Sequence, residues 1–306
     1  MVVAATLWKS WMSGAALFGA VCAVALVLLF PVSFSAAVAI GIGVAICAPS
    51  FFVAATFLVA TAASGRTPSL RDTPYLLRAL LTEIIDFNVA VAEMMASNPP
   101  INGPPSGTIH RPVLLIHGFA CNHSVWNSWW LGALEKHGFG PVRAIDLEPP
   151  MADMEHHAAH VERELRALSQ ECGDTSVDII AHSMGGLVAR AALRRVGPEV
   201  IGQIVTLATP HHGTVLARLF SQQGCLQQMR PESPWMIQLN ADQEDAMGVP
   251  LTSIYTLEDN LLVPARSPIL RRAHLIELRG IGHMGILASK RAIDHTIKAL
   301  LTGELA

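Results

Sequence analysis

The chain has 306 residues, 51% of them hydrophobic and only 15% charged, with a formal net charge of −3. That length is about twice a usual domain and admits one large unit or two smaller ones, while a slightly acidic balance offers no basic surface for nucleic acid. Five cysteines without metal-type spacing exclude an obvious zinc site or a disulfide framework, and reduced thiols, no metal and no cofactor are expected.

Charge is unevenly spread. From Ser10 to Gly65 there is no Asp, Glu, Lys or Arg. A hydrocarbon core of roughly 30 Å takes about 20 apolar residues per helix, and the stretch supplies two such segments, near 11–30 and 36–62, with Pro31 and Ser33 between them. Residues 1–65 are therefore expected to form a membrane hairpin. A cleaved signal peptide, with Lys9 ahead of the first apolar run, is the alternative, but it leaves the second run unexplained. Lys9, Arg66 and Arg71 flank the hairpin and the turn carries no charge, so the positive-inside rule places both ends, and the domain beyond them, on the cytoplasmic side of the membrane. The signal-peptide reading would make the remainder periplasmic or secreted.

Residues 66–109 read as a membrane-proximal connector. Leu76, Leu77, Leu80, Leu81, Ile84, Ile85 and Phe87 recur at helical spacing over 73–96, predicting an amphipathic helix that lies on the membrane or packs on the downstream domain. Thr73 before Pro74 suits an N-cap. Residues 98–107, rich in Pro and Gly, break the helix and form a linker.

From residue 110 to 306 the chain alternates strand and helix, as a mostly parallel sheet with helices on both faces requires. Strands are expected at 112–117, 142–147, 177–181, 204–208, 251–257 and 274–278, and helices at 124–137, 151–172, 184–195 and 286–301. Residues 213–248 carry no clear strand and form a cap or substrate-side insertion.

The segment Val177-Asp-Ile-Ile-Ala-His-Ser-Met-Gly-Gly186 runs an apolar strand into a serine flanked by small residues and then into a helix. This is the pattern of a nucleophile elbow, with Ala181 in place of the usual first glycine. A serine that only caps the helix needs neither the strand nor Gly185 and Gly186. Ser183 is thus the candidate nucleophile. Its proton needs a base, and His283, between glycines after the last strand, is the candidate. The acid that holds the imidazole should lie between the two in sequence and follow a strand. Asp259 meets this best, Glu258 is the runner-up, and Asp242 and Asp245 fall in the insertion. Two backbone N–H groups should meet the oxyanion, that of Met184 and that of Phe119, while His117 shapes the turn. His156 and His160 share a helical face, but the His-Glu-x-x-His glutamate is missing, so a solvated face is preferred to a metal site.

His117-Gly-Phe, Ala-His-Ser183-Met-Gly-Gly, Leu207-Ala-Thr-Pro-His-His-Gly-Thr214, Asp259-Asn-Leu-Leu-Val-Pro and Gly-Ile-Gly-His283 together resemble bacterial lipases and esterases of the α/β-hydrolase fold, above all small Bacillus-type lipases, over residues 110–302. The resemblance implies an α/β-hydrolase fold and a carboxylic ester hydrolase working through an acyl-enzyme on small-molecule or lipid esters, with the membrane as partner through the N-terminal helices. Trp126, Trp129, Trp130, Phe119 and Trp235 are either apolar surroundings for an acyl group or core aromatics. An acyltransferase or thioesterase with the same triad, or a non-catalytic membrane protein on this fold, are the rival functions.

Overall fold

In the structure, a computed structural model, residues 3–29, 32–63, 69–96, 98–103, 110–126, 128–219, 223–243 and 248–303 are described. Among them six strands form one sheet: β1 (Val113–Ile116), β2 (Val142–Ile145), β3 (Val177–His182), β4 (Ile201–Leu207), β5 (Leu251–Thr256) and β6 (His274–Leu278). Their order is β2-β1-β3-β4-β5-β6 and every pairing is parallel. Parallel strands need covered faces, and the pleat supplies two. Leu115, Ile180 and Val205 face one buried cluster, and Leu114, Ile116 and Ile179 face the other.

α5 (Met154–Glu171) and α6 (Met184–Val196) cover the second face. α4 (Ser128–Lys136) and α10 (Lys290–Gly303) cover the first. The insertion carries α7 (Gly224–Gln228) and α8 (Pro234–Asp242). Several expected boundaries shift. The helix expected over 124–137 is a 3-10 turn, His123–Val125, followed by α4, because the Asn122 side chain caps Ser124 and closes a separate turn. The final helix is broken at Ser289 into α9 (Gly285–Ala288) and α10. Residues 101–103 of the expected linker pair with the edge of the sheet, Asn102 bridging Arg143 in antiparallel sense; residues 104–107 lie outside the described residues, as does Arg66.

Two long N-terminal helices, α1 (Val3–Leu29) and α2 (Phe34–Ala63), are apolar and long enough to cross a membrane. They cross closely at Gly19 and Gly41, where a Cβ on Gly19 would fall on the Gly41 carbonyl. α3 (Thr73–Met95) follows, with Thr73, the expected N-cap, as its first helical residue and Asp72 in the N-cap position without a side-chain cap bond. These helices also pack on the sheet domain: Val53 and Phe57 of α2 and Ala79, Phe87, Ala90, Val91 and Met94 of α3 belong to its first core cluster.

Candidate active site

β3 ends at His182 and α6 begins at Met184, leaving Ser183 alone in the turn with φ 53° and ψ −125°. A positive φ in a non-glycine residue is strained, and the Ser183 N–H, bonded to the Leu207 carbonyl at 2.8 Å, helps to hold it. Small neighbours are required here. A Cβ on Gly185 would stand 2.5 Å from the His117 carbonyl oxygen and 2.6 Å from that of Ile116. Ala181, where the motif departs from glycine, is fully buried within β3.

Beyond β6 the chain turns at Gly280 and brings His283 back over this elbow. Its Nε2 lies 3.0 Å from Ser183 Oγ, and its Nδ1 lies 2.8 Å from Asp259 Oδ2. The other Asp259 oxygen accepts the backbone N–H groups of Leu261 and Leu262 at 2.8 and 2.9 Å. Glu258, the runner-up, is engaged elsewhere: Arg279 Nε donates to it at 2.7 Å, and Gly280 N–H at 2.9 Å. All three of Ser183, Asp259 and His283 are buried. Burial pulls the His283 pKa down, but the charge and hydrogen bond of the Asp259 carboxylate, together with the charge of Glu83, outweigh this and leave it above the ordinary 6.5.

The turn after β1 passes directly beside the serine. A Cβ on Gly118 would meet Ser183 Cβ at 2.9 Å. His117 fixes this turn in one tautomer: its Nε2 accepts the Leu147 N–H at 3.0 Å, so Nδ1–H donates to the Gly118 carbonyl at 2.8 Å. Phe119 and Met184 thus flank Ser183, one in this turn and one at the start of α6. Neither histidine of the Pro210-His-His-Gly segment reaches the serine. His211 is buried against Arg190 and Thr206, and His212 Nε2 meets the Ile269 carbonyl. On α5, His156 is exposed and His160 half-exposed, while His157 beside them is fully buried, its pKa lowered to about 4 chiefly by desolvation. Among the described residues no cluster of His, Cys, Asp and Glu could hold a metal ion.

Above the serine is an apolar cavity of about 520 Å³, within the range of small-molecule sites. One wall comes from the insertion, with Leu216, Leu226 and Met229. The opposite wall comes from the N-terminal helices: Trp8 and Trp11 of α1, Phe52 of α2, Phe87 and Met94 of α3. Of the tryptophans considered from sequence, none lines it. Trp126 and Trp130 are core, Trp129 is exposed, and Trp235 donates to Glu155; Phe119 alone of that set is in the lining.

The N-terminal helices also bond to the loops that carry the site. Trp8 Nε1–H donates to the Ala120 carbonyl at 2.7 Å, and Asn122 Nδ2 donates to the Met94 carbonyl at 3.0 Å. Asn260 Oδ1 accepts the His283 N–H at 3.2 Å while its Nδ2 donates to Thr56 Oγ1 at 2.8 Å. Glu83, buried on α3, accepts the N–H groups of Met284 and Gly285, both at 2.8 Å. Sequence reasoning missed all of these. The available signal was Glu83 itself, an acid in the middle of an apolar helical run.

A family model described as a PGAP1-like alpha/beta domain matches residues 152–279. The chain is 30% identical over 135 residues to a triacylglycerol lipase of Burkholderia plantarii, covering 40% of this chain and 36% of the relative. It is 53% identical over 49 residues to the GPI inositol-deacylase of Mus musculus, covering 15% of this chain and 5% of that one. The chain spans about a third of the length of the bacterial lipases it matches. In structure, it is similar to the mature lipase BlEst2 of Bacillus licheniformis, with a TM-score of 0.55 and 18% identity over 66% of this chain and 96% of that one. The sheet order, the elbow and these likenesses together give the chain an α/β-hydrolase fold, similar to that of lipases and esterases.

Proposed function

We propose that the protein hydrolyses carboxylic esters with an apolar acyl group through a Ser183-His283-Asp259 triad. The observation that carries this is the continuous chain of hydrogen-bond distances from Ser183 Oγ through His283 to Asp259 at the floor of an apolar cavity. His283 Nε2 takes the serine proton as Oγ attacks the acyl carbon, and Asp259 holds the Nδ1 proton and stabilises the imidazolium. The oxyanion receives the backbone N–H groups of Phe119 and Met184. His283 then returns the proton to the departing alcohol, leaving an acyl-Ser183 that water, deprotonated by the same imidazole, hydrolyses. The similarity to one protein named a lipase and another named a deacylase supports an acyl ester as the substrate. α1 and α2 anchor the enzyme in a membrane, with the hydrolase domain on the side of both hairpin ends, the cytoplasmic side by the positions of Lys9 and Arg71.

A chain-length series of p-nitrophenyl esters tests the reading. The purified full chain should hydrolyse them with kcat/KM rising from acetate toward longer acyl groups, and Ser183→Ala should be inactive on all. Activity surviving in Ser183→Ala would overturn the triad. Acyl transfer to an added alcohol or thiol in preference to water would move the enzyme to the acyltransferases.

A further inference from the structure

α3 carries its polarity the wrong way round for a helix in water. Leu77, Leu81, Ile85 and Val89, spaced by four, are 53%, 56%, 64% and 51% exposed, while Glu83 is fully buried and Asp86 and Glu93 are half-buried. A surface helix normally turns its apolar stripe to the core and its charges to solvent. α3 packs along the C-terminal half of α2, where Asn88 Nδ2 donates to Ser50 Oγ at 3.3 Å and the Phe52 and Phe87 rings stand 5.5 Å apart. There α2 exposes Phe51, Leu58 and Val59. α2 has 30 residues, about 45 Å at roughly 1.5 Å per residue, more than a hydrocarbon core of roughly 30 Å, so its surplus length can lie tilted with α3 against the interface. Phe51 and Phe52 are adjacent: one faces outward and the other lines the cavity. Likewise Ile85 and Val89 face outward while Phe87 lines the cavity. About one helix thickness, roughly 10 Å, therefore separates the exposed apolar surface from the acyl site.

We propose that the outward face of α3 rests in the bilayer beside α2, and that the cavity takes its ester from the membrane rather than from solution; this rests on the ester-hydrolase reading above. The substrate class is a bilayer-resident lipid ester, its acyl chain passing between the N-terminal helices and the insertion. The test uses the full chain reconstituted in phosphatidylcholine vesicles, with 4-methylumbelliferyl oleate dissolved in the bilayer and 4-methylumbelliferyl acetate in the aqueous phase. A Leu81→Glu, Ile85→Glu double variant should lose at least about tenfold on the oleate and stay within about twofold on the acetate. The milder Leu81→Gln, Ile85→Gln pair should show the same split with a smaller loss. Equal loss on both substrates in both variants would mean that the stripe only supports the fold, and no loss on either would mean that it does not face lipid; each result overturns the proposal. A Ser183→Ala protein still active on acetate would instead remove the hydrolase reading beneath it.

Glu83 supports a second, independent inference. Its carboxylate is fully buried, makes no ion pair among the described residues, and spends both oxygens on the Met284 and Gly285 N–H groups next to His283. The geometry points to Glu83 as a positioning residue that holds the imidazole loop over Ser183. The titratable groups facing it are His283 and Asp259 from the site loops and Asp86 from its own helix. Burial raises the Glu83 pKa to about 7, against the two N–H bonds and the His283 charge, and its negative charge in turn raises that of His283. Glu83→Gln keeps the shape, loses the charge, and turns an N–H group toward one of the two backbone donors. In the full chain its kcat on 4-methylumbelliferyl acetate should fall about tenfold or more, as small misplacements of a catalytic group do, with KM unchanged and the acid limb of kcat/KM moved to lower pH. Glu83→Asp should restore the position of the limb in part. An unchanged kcat, or a reduced kcat with the limb unmoved, would reduce Glu83 to a structural acid.

Discussion

The sheet domain and the three N-terminal helices obey opposite rules of burial. Along β1, Val113, Leu114, Leu115 and Ile116 are all fully buried, alternating between two covered faces. Along α1 to α3, Leu17, Phe18, Leu28, Phe34, Leu58 and Ile85 stand outward, while the acid of α3 is turned inward onto the imidazole loop. Water selects the first arrangement because burying apolar area is favourable there. The second fits surroundings in which apolar side chains lose nothing by being outside. Yet the two regions are not separate machines, because the sheet supplies Ser183, Asp259 and His283 while the helices supply one wall of the cavity and grip the turns on which those residues sit.

If the chemistry belongs to the sheet domain, its largest single effect is at His283. His283→Ala should cost at least about a thousandfold in kcat/KM, some 4 kcal/mol of transition-state stabilisation, without loss of the thermal transition, whereas His212→Ala should retain activity within severalfold. The reverse pattern would place the base on the wrong loop.

Packing should separate the regions next. Leu115→Ala, in the centre of the sheet, is expected to lower stability by about 3 kcal/mol, read as a fall in thermal midpoint in detergent micelles. Leu58→Ala, at 72% exposure on α2, should change it by no more than about 0.5 kcal/mol. Comparable losses at both would mean that α2 is an ordinary core helix.

A smaller effect lies in the pH profile. Only neutral His283 can accept the serine proton, and its pKa is raised above 6.5, so kcat/KM should climb with pH through a limb centred above 6.5. The stability sign is opposite: a raised histidine pKa contributes stability that is complete below 6.5 and fades as pH rises through the folded value. Activity and the His283 contribution to thermal stability should therefore move in opposite directions across that window.

Much of the sheet domain was legible because its signals are local. Five of the six strands begin within about a residue of the expected positions, since each is a short apolar run stopped by turn residues. β4 starts earlier, at Ile201, because Gly202 and Gln203 interrupt the apolar pattern without ending the pairing. The serine, histidine and aspartate could be chosen because a sharp strand-to-helix turn and chain order constrain them. Nothing local marks Trp8, Phe52 or Glu83 as neighbours of Ser183. Their place depends on how α3 folds back on the imidazole loop, with more than a hundred positions between the bonded partners, and the apolar stripe of α3 reads the same from sequence whether it faces a core or a bilayer. Leu76, Leu80 and Ile84 turn inward while Leu77, Leu81 and Ile85 turn out, a split that periodicity alone does not assign.

The central claim is that Ser183 is an activated nucleophile at the floor of a cavity shared by sheet and helices. A fluorophosphonate reacted with the full chain in vesicles, followed by peptide mapping, tests it directly. The account predicts one adduct, on Ser183, lost in His283→Ala and slowed when a long-chain ester competes for the cavity. Absence of the adduct on Ser183 while ester hydrolysis persists, or a label carried by another residue, would contradict it.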